Sequence, residues 1–159
     1  MVSALAREHI ISRQLEVVKP LYDYIFIDCP PSLGLLTLNA LTASDSVLVP
    51  IQCEYYALEG LTQLMNTVRL VKKRLNPQLD IEGVVLTMLN GRTKLGVQVV
   101  DEVKKFFGQK VYHTIIPRNV RLGEAPSYGQ PINVYDGRSA GALAYASLAG
   151  EFLKWNGGE

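Results

Sequence analysis

Short apolar runs alternate along this chain with longer segments of helical periodicity, and this alternation restricts the fold more than any other feature. The runs cover residues 24–28, 46–51, 83–89 and 111–116. Each is short and rich in β-branched or aromatic residues, so each is predicted to be a strand. The intervening periodic segments are predicted to be helices over 33–43, 55–75, 94–107 and 139–154. This order predicts an α/β fold, a doubly wound and mostly parallel sheet with helices on both faces.

The ends of several elements are predicted from capping and breaking residues. An amphipathic helix is expected over 3–16, with Ser3 as its cap. Thr93 is predicted to cap the helix over 94–107, and Gly108 stands where a left-handed residue commonly ends a helix. Residues 118–137 contain five Gly or Pro, and are predicted to be mostly loop with one helical turn. Residues 1–159 are predicted to form a single domain.

Charge is distributed unevenly along the chain. The hydrophobic content of 48% and charged content of 19% are typical of a globular protein. The net charge is only +1, but residues 69–121 carry eleven Lys or Arg and four Asp or Glu, a balance of +7. If folding brings these residues together, they form a positive face suited to a polyanion.

Several classes of site and location have no support in the sequence. The two cysteines, Cys29 and Cys53, form no metal-binding pair, and both histidines are isolated, so no zinc site is expected. Both cysteines follow apolar runs and are expected to be buried and reduced, as in a cytosolic protein. No secretory signal is visible, and no run reaches the roughly 18 apolar residues of a membrane span.

Asp28 is the most informative candidate for a site. It ends the apolar run 24–28, and Pro30 and Pro31 must stop the strand because proline cannot donate to a ladder. Ligands bind at the carboxyl edge of open α/β sheets. A carboxylate there, followed by a stiff loop, suits the outer shell of a Mg²⁺ ion on a nucleotide phosphate. The alternative is that Asp28 only caps the turn between strand and helix.

Taken together, these features resemble the ParA/Soj family of bacterial chromosome and plasmid partition ATPases, which are deviant-Walker P-loop NTPases. The resemblance covers nearly the whole chain in four ordered blocks, 22–34, 43–60, 86–94 and 116–131. It implies that Asp28 is the Walker B aspartate, which holds Mg²⁺ through water. It implies that the loop from Cys29 to Gly34, with Pro30 and Pro31, senses the γ-phosphate. The adenine would be bordered by Asn90, Pro117, Arg118 and Asn119.

The resemblance also implies a face that binds DNA without sequence preference. Arg92, Arg118 and Arg121 match basic positions of that face. The further candidates are Lys72, Lys73, Lys94, Lys104 and Lys105. The alternative for each lysine is a solvated helix face, and for Arg118 it is an internal ion pair with Glu124 or Asp136.

One family feature is missing. The sequence contains no GxxxxGK[ST] segment and no deviant version of it, so the loop that cradles phosphates and supplies a lysine is absent. The chain is therefore interpreted as the carboxyl-terminal portion of a partition ATPase and is expected, alone, neither to hydrolyse ATP nor to bind it tightly. The family implies ATP and Mg²⁺ as cofactors, a homodimer, a ParB-like partner, and a cytoplasmic location on the nucleoid. In family members the P-loop strand lies between the strands that correspond to 24–28 and 46–51, so exposed ladder edges, self-pairing or direct pairing of these two are expected.

Two other functions remain open from the sequence. The chain could be a non-catalytic interaction module that keeps the fold without the chemistry, as the missing P-loop would allow. It could also be a membrane-associated ATPase of the MinD type. The latter requires a basic amphipathic tail, and residues 151–159 contain a single lysine. No membrane partner is therefore expected.

Overall fold

A computed structural model describes residues 7–30, 32, 34–54, 57–91 and 93–158 of the protein. The middle of the described chain alternates between helix and strand, as the sequence predicts, whereas both ends are helical or irregular. The elements are α1 (Ile10–Leu15), α2 (Leu35–Ala43), β1 (Ser46–Gln52), α3 (Ala57–Arg74), β2 (Asp80–Thr87), α4 (Lys94–Phe107), α5 (Val120–Glu124), α6 (Ile132–Tyr135) and α7 (Ala140–Trp155). Turns of 3-10 helix occupy Arg7–His9, Lys19–Leu21, Gly108–Lys110 and Ala125–Tyr128. The helix expected over 3–16 is thus shorter in its described part, and Ser3 lies outside the described residues.

The sheet is parallel, with β2 between two neighbours. The amide of Asp80 donates to the carbonyl of Asp45 at the start of β1 and β2 (3.2 Å), and Cys53 donates to Thr87 at their end (2.9 Å). A third extended segment, residues 111–117, joins β2 through parallel bridges, one of them between Val84 and Val111. Its amides bond to carbonyls of β2 that point away from β1, because carbonyls of successive residues in a strand point to opposite edges. The predicted parallel α/β fold is confirmed.

The strand predicted over 24–28 is not formed. Residues 22–30, all described, belong to no strand, and Tyr22 and Phe26 are 64% and 70% exposed. A strand is defined by pairing with neighbouring strands, and the ladders formed among the described residues do not include this segment. Asp28 therefore follows a largely exposed segment outside any strand instead of a buried strand.

The loop predicted over 118–137 is also wrong, because the segment forms three short helical turns. The side chain of Asn119 accepts a hydrogen bond from the amide of Arg121 (3.0 Å) and so begins α5. Gly129, with φ of 63°, ends the 3-10 turn that follows, and Pro131 directly precedes α6. The glycines and prolines here separate short helices rather than preventing them.

The predicted cap at the start of α4 is confirmed, whereas Gly108 at its end has a positive φ but a ψ of −122°, outside the left-handed helical region. The hydroxyl of Thr93 accepts a hydrogen bond from the amide of Gly96 (3.3 Å). Gly108 follows with a positive φ of 56°, and its amide donates to the carbonyl of Lys104. In the same way, the hydroxyl of Ser139 accepts from the amide of Ala142 (3.2 Å) and begins α7.

The chain divides into two compact units. The first comprises Met1–Val47 and Gly60–Glu82. Its main polar anchor is Asn39, whose side chain is buried and whose Oδ1 accepts from the amides of Ile10 (3.0 Å) and Ile11 (3.3 Å). Its Nδ2 donates to the carbonyls of Arg7 and Leu35. A single side chain on α2 therefore fixes the segment that begins α1.

The second unit comprises Leu48–Glu59 and Gly83–Glu159. Tyr112, which is 1% exposed, packs beneath α7 and stacks on Trp155 with 4.1 Å between ring centroids. Its ring also lies over Gly83, where a Cβ atom would collide with it. Glu151 of α7 accepts hydrogen bonds from two amides of the third extended segment, so this helix is attached to the sheet by both packing and charge.

Candidate functional site

The carboxyl ends of β2 and the third extended segment lie side by side. The amide of Leu89 donates to the carbonyl of Ile116 (3.3 Å), and the amide of Arg118 donates back to the carbonyl of Leu89 (3.1 Å). Asn90 and the Pro117–Asn119 turn, which sequence analysis assigned to one site, are therefore adjacent. Their nearness follows from the parallel register, in which neighbouring strands end at the same edge.

The chain leaves β2 through an unusual backbone conformation. Met88 has φ of 54°, the only positive φ of a residue other than glycine within the described residues. This conformation costs on the order of 1 kcal/mol for an unbranched side chain and is enriched at functional sites. Two residues later, the carbonyl of Asn90 accepts bonds from the amide and the hydroxyl of Thr93 (3.1 and 3.0 Å). The turn from β2 into α4 is thus closely specified.

Arg118 forms an ion pair that joins the ends of two elements. Its Nη2 lies 2.8 Å from Oε1 of Glu54, which follows β1. Both side chains are more than half exposed, so the pair contributes at most about 1 kcal/mol to stability. The ion pair matters more for geometry than for stability. It holds the guanidinium of Arg118, which follows the third extended segment, beside Glu54 at the end of β1.

Arg121 is held by two carboxylates. Its Nη1 lies 2.8 Å from Oε2 of Glu124, and its Nε lies 3.4 Å from Oδ2 of Asp136. The hydroxyl of Tyr135 donates to the same oxygen of Glu124 (3.1 Å), and its ring stacks on Tyr128. The sequence suggests an internal ion pair between Arg118 and Glu124 or Asp136 as an alternative. In the structure both carboxylates lie beside Arg121 instead.

The charges in this network stabilise one another. The hydrogen bonds from Arg121 and Tyr135 hold the pKa of Glu124 below its usual range, and Glu124 raises the pKa of Arg121. Both groups are therefore fully ionised at neutral pH. Because the side chain of Arg121 is 53% exposed, the guanidinium remains accessible from solvent.

The predicted lysines lie on exposed helix surfaces. In the second unit, Lys94 begins α4, and Lys104 and Lys105 lie in its last turn. Lys105 pairs with Glu102 at 2.7 Å, a spacing of three residues along the helix. In the first unit, Lys72 and Lys73 lie in the last turn of α3, and Lys72 lies 3.5 Å from Asp80. The solvated-face alternative stays open for each of them.

Two predicted site residues, Pro31 and Arg92, lie outside the described residues. Asp28 and Pro30 belong to the first unit, and the side chain of Asp28 is exposed. Within the described ranges, no group of three His, Cys, Asp or Glu side chains could hold a metal ion by itself. Likewise, no helix in the described part is both long enough and apolar enough to cross a bilayer.

Sequence reasoning missed Glu54 and Tyr135 as parts of this edge. Glu54 lies two residues beyond β1, where the carboxyl ends of the strands meet, so its position along the chain was a usable signal. No local signal marked Tyr135, since its role depends on how α6 returns towards α5.

Comparisons with known proteins agree with this architecture. The family model described as AAA domain matches residues 1–81. The sporulation initiation inhibitor protein Soj of Bacillus subtilis is 68% identical over 151 residues, which are 95% of this chain and 60% of Soj. The chromosome partitioning protein ParA of Myxococcus xanthus is 57% identical over 145 residues, 89% of this chain and 51% of ParA. The chain therefore spans between about half and three-fifths of these relatives.

Solved structures show the same fold. Cobyrinic acid a,c-diamide synthase from Mycobacterium smegmatis, with bound ATP analog and magnesium, superposes with a TM-score of 0.78 at 34% identity, covering 94% of this chain and 55% of the synthase. The septum site-determining protein MinD from Pyrococcus horikoshii, complexed with Mg-ADP, superposes with a TM-score of 0.76 at 25% identity. The match covers 94% of this chain and 58% of MinD. The family model and the identity to Soj and ParA lead to one conclusion: this chain belongs to the ParA/Soj family of chromosome partitioning proteins.

Proposed function

We propose that this chain is the carboxyl-terminal part of a partition ATPase. The whole protein would bind ATP and Mg²⁺, form a homodimer and bind DNA without sequence preference, and thereby segregate a chromosome or plasmid. The observation that carries this proposal is the 68% identity to Soj along 95% of the chain. Residues 1–159 would be one part of a single ATPase domain, acting on the nucleoid in the cytoplasm with a ParB-like partner.

The nucleotide role rests on Asp28 and on the edge formed by Asn90 and Pro117–Asn119. Mg²⁺ is commonly held through one or two carboxylates, waters and phosphate oxygens, so a lone exposed carboxylate such as Asp28 fits an ion held through water. When bound, this ion would neutralise phosphate charge during hydrolysis. Pro30 and Pro31 would stiffen the loop that meets the γ-phosphate. Because no GxxxxGK segment is present, tight ATP binding would need the rest of the protein.

The DNA role rests on exposed cations. Arg118 and Arg121 leave the third extended segment at its carboxyl end, and Lys94, Lys104 and Lys105 lie on the surface of α4. Arginines suit phosphate oxygens because their donors form a rigid fork. The +7 balance of residues 69–121 supports the same role. The identity to MinD, 25%, is much lower than that to Soj, 68%, so partition is favoured over the membrane-associated alternative.

The experiment is a hybrid protein in which residues 1–159 replace the matching part of B. subtilis Soj. We expect Mg²⁺-dependent ATP hydrolysis, and we expect Asp28→Ala to reduce turnover by at least about tenfold because Mg²⁺ would lose its carboxylate. Asp23→Asn, another exposed carboxylate five residues earlier, is the matched control and should hydrolyse ATP normally. Retained activity in the Asp28 variant would remove this residue from the metal site.

The same hybrid tests the basic surface. Arg92→Glu with Arg121→Glu should abolish DNA binding while ATP binding and dimerisation persist. Arg13→Glu with Lys154→Glu makes the same change in net charge at exposed positions outside the proposed surface and should leave DNA binding nearly intact. If Arg92→Glu with Arg121→Glu also abolishes ATP binding, these two arginines belong to the nucleotide pocket. If DNA binding survives, other cations bind the DNA, and the candidates are Lys72 and Lys73 in the first unit and Lys104 and Lys105 in the second.

A further inference from the structure

We propose that Glu124 and Asp136 compete with DNA phosphates for Arg121 and thereby set the DNA affinity of this chain. The inference rests on the DNA-binding function proposed above, and it assigns to two acidic residues a role opposite to that of the basic surface. It follows from the geometry of the guanidinium group and from the sum of the charges around it.

Each fork of the guanidinium has a carboxylate beside one of its N–H groups, hydrogen-bonded in the case of Glu124 and in ion-pair contact in the case of Asp136. A phosphate is held best by two neighbouring N–H groups of one arginine. Nε belongs to one such fork and lies 3.4 Å from Asp136. Nη1 belongs to the other and lies 2.8 Å from Glu124. A phosphate can therefore form a bidentate contact with Arg121 only after at least one carboxylate is displaced.

The local charge opposes DNA as well. Arg121 with Glu124 and Asp136 sums to −1, so the network as folded repels a polyanion at short range. The hydrogen bond from the hydroxyl of Tyr135 to Oε2 of Glu124 (3.1 Å) keeps this carboxylate in place. At the same time Arg121 is 53% exposed, so a phosphate can reach it without unfolding of α5.

Exposed ion pairs of this kind are weak, so the competition should be measurable but modest. Removal of one carboxylate charge should tighten DNA binding by about two- to fivefold. Glu124 should have the larger effect because its contact is shorter and is supported by Tyr135. Asp136, at 3.4 Å, should have the smaller one.

The test measures the affinity of the full chain for a fluorescent duplex of random sequence by anisotropy at low salt. Glu124→Gln and Asp136→Asn preserve size, and thermal unfolding confirms that each variant is folded. Both should bind more tightly than the wild type, and Arg121→Gln should bind more weakly. Neither carboxylate substitution should tighten DNA binding when Arg121 is already replaced. The double variants Arg121→Gln/Glu124→Gln and Arg121→Gln/Asp136→Asn should therefore bind as Arg121→Gln does. Glu16→Gln, an exposed change of equal charge on the first unit, should have little effect.

The outcomes separate this inference from the proposed function. If Arg121→Gln weakens binding but neither carboxylate variant strengthens it, the DNA surface stands and the competition is refuted. If Glu124→Gln weakens binding, this carboxylate orients Arg121 and the inference is wrong. If the carboxylate substitutions tighten DNA binding equally in the Arg121→Gln background, the cause is a general charge effect. That result would also refute the proposed competition. If Arg121→Gln binds DNA as the wild type does, the proposed DNA contact fails and the inference fails with it.

Discussion

Glu151 is the residue at which charge and secondary structure are most directly coupled. Its Oε1 accepts a hydrogen bond from the amide of His113 (2.6 Å), and its Oε2 accepts one from the amide of Thr114 (2.9 Å). Burial raises the pKa of Glu151, but these hydrogen bonds outweigh burial and hold the pKa below its ordinary value. The folded protein therefore favours the ionised carboxylate.

We predict that Glu151→Gln lowers the free energy of unfolding by about 1 kcal/mol at pH 7, because a neutral amide accepts these bonds less strongly. The contribution of a carboxylate with a depressed pKa is complete above its unfolded pKa, about 4.3, and is lost as pH falls through the folded pKa. Urea unfolding of the variant and the wild type should thus differ at pH 7 and converge below about pH 4. Glu16→Gln serves as the control. A difference that stays constant with pH would contradict the charged interaction.

The pairing of Arg121 illustrates what residue-level reasoning could and could not reach. The sequence suggests Glu124 or Asp136 as the carboxylate of an alternative internal pair, with Arg118 as the arginine. Arg121 and Glu124 are three residues apart, a spacing that brings side chains together only in a helix. Because residues 118–137 were predicted to be mostly loop, that spacing carried no information. The error at one residue therefore followed from the error in one element.

Among the elements, α2 depends on a polar residue inside an apolar helix. Asn39 is 4% exposed and uses both ends of its amide, with Oδ1 on the amides of Ile10 and Ile11 and Nδ2 on the carbonyls of Arg7 and Leu35. The amide thus bonds to the backbone of the Arg7–His9 turn and the start of α1, and also to Leu35 in the first turn of α2.

We predict that Asn39→Leu destabilises the protein by about 2 kcal/mol, because an apolar side chain of similar size leaves these backbone groups without their partner. Hydrogen exchange should show faster exchange at the amides of α1 before α4 is affected. Asn133→Leu, at an exposed position in the second unit, should change stability little. Unchanged protection of α1 in the Asn39 variant would mean that the helix is held by other contacts.

The accuracy of the predicted elements follows from where their stability originates. The bounds of α2, α4 and α7 agree with the sequence to within two residues, since periodicity and caps are local. The strand over 24–28 could not be judged locally, because a strand requires neighbours that bond its backbone. The same applies to 111–117, which pairs with β2 only at isolated bridges and ends at Pro117.

For the molecule as a whole, the segment 21–26 stands out for its exposed apolar side chains. Within the first unit, Leu21, Tyr22 and Phe26 are 72%, 64% and 70% exposed, and Tyr24 and Ile25 are about 40% exposed. Contiguous apolar surface of this kind promotes association, especially in a segment rich in β-forming residues.

We therefore predict that the chain alone self-associates through residues 21–26. Phe26→Ser should shift sedimentation at micromolar concentrations towards the monomer and reduce the fluorescence of a dye that binds apolar surface, because the side chain is 70% exposed. Phe106→Ser is the matched control, since Phe106 lies on α4 in the second unit and is 65% exposed. If Phe26→Ser and Phe106→Ser reduce association equally, exposed aromatic rings promote association wherever they lie, and the contact is not specific to residues 21–26. If neither does, the segment 21–26 is not the contact, and the edge of β1 that bonds to no strand in the described part of the chain becomes the next surface to test.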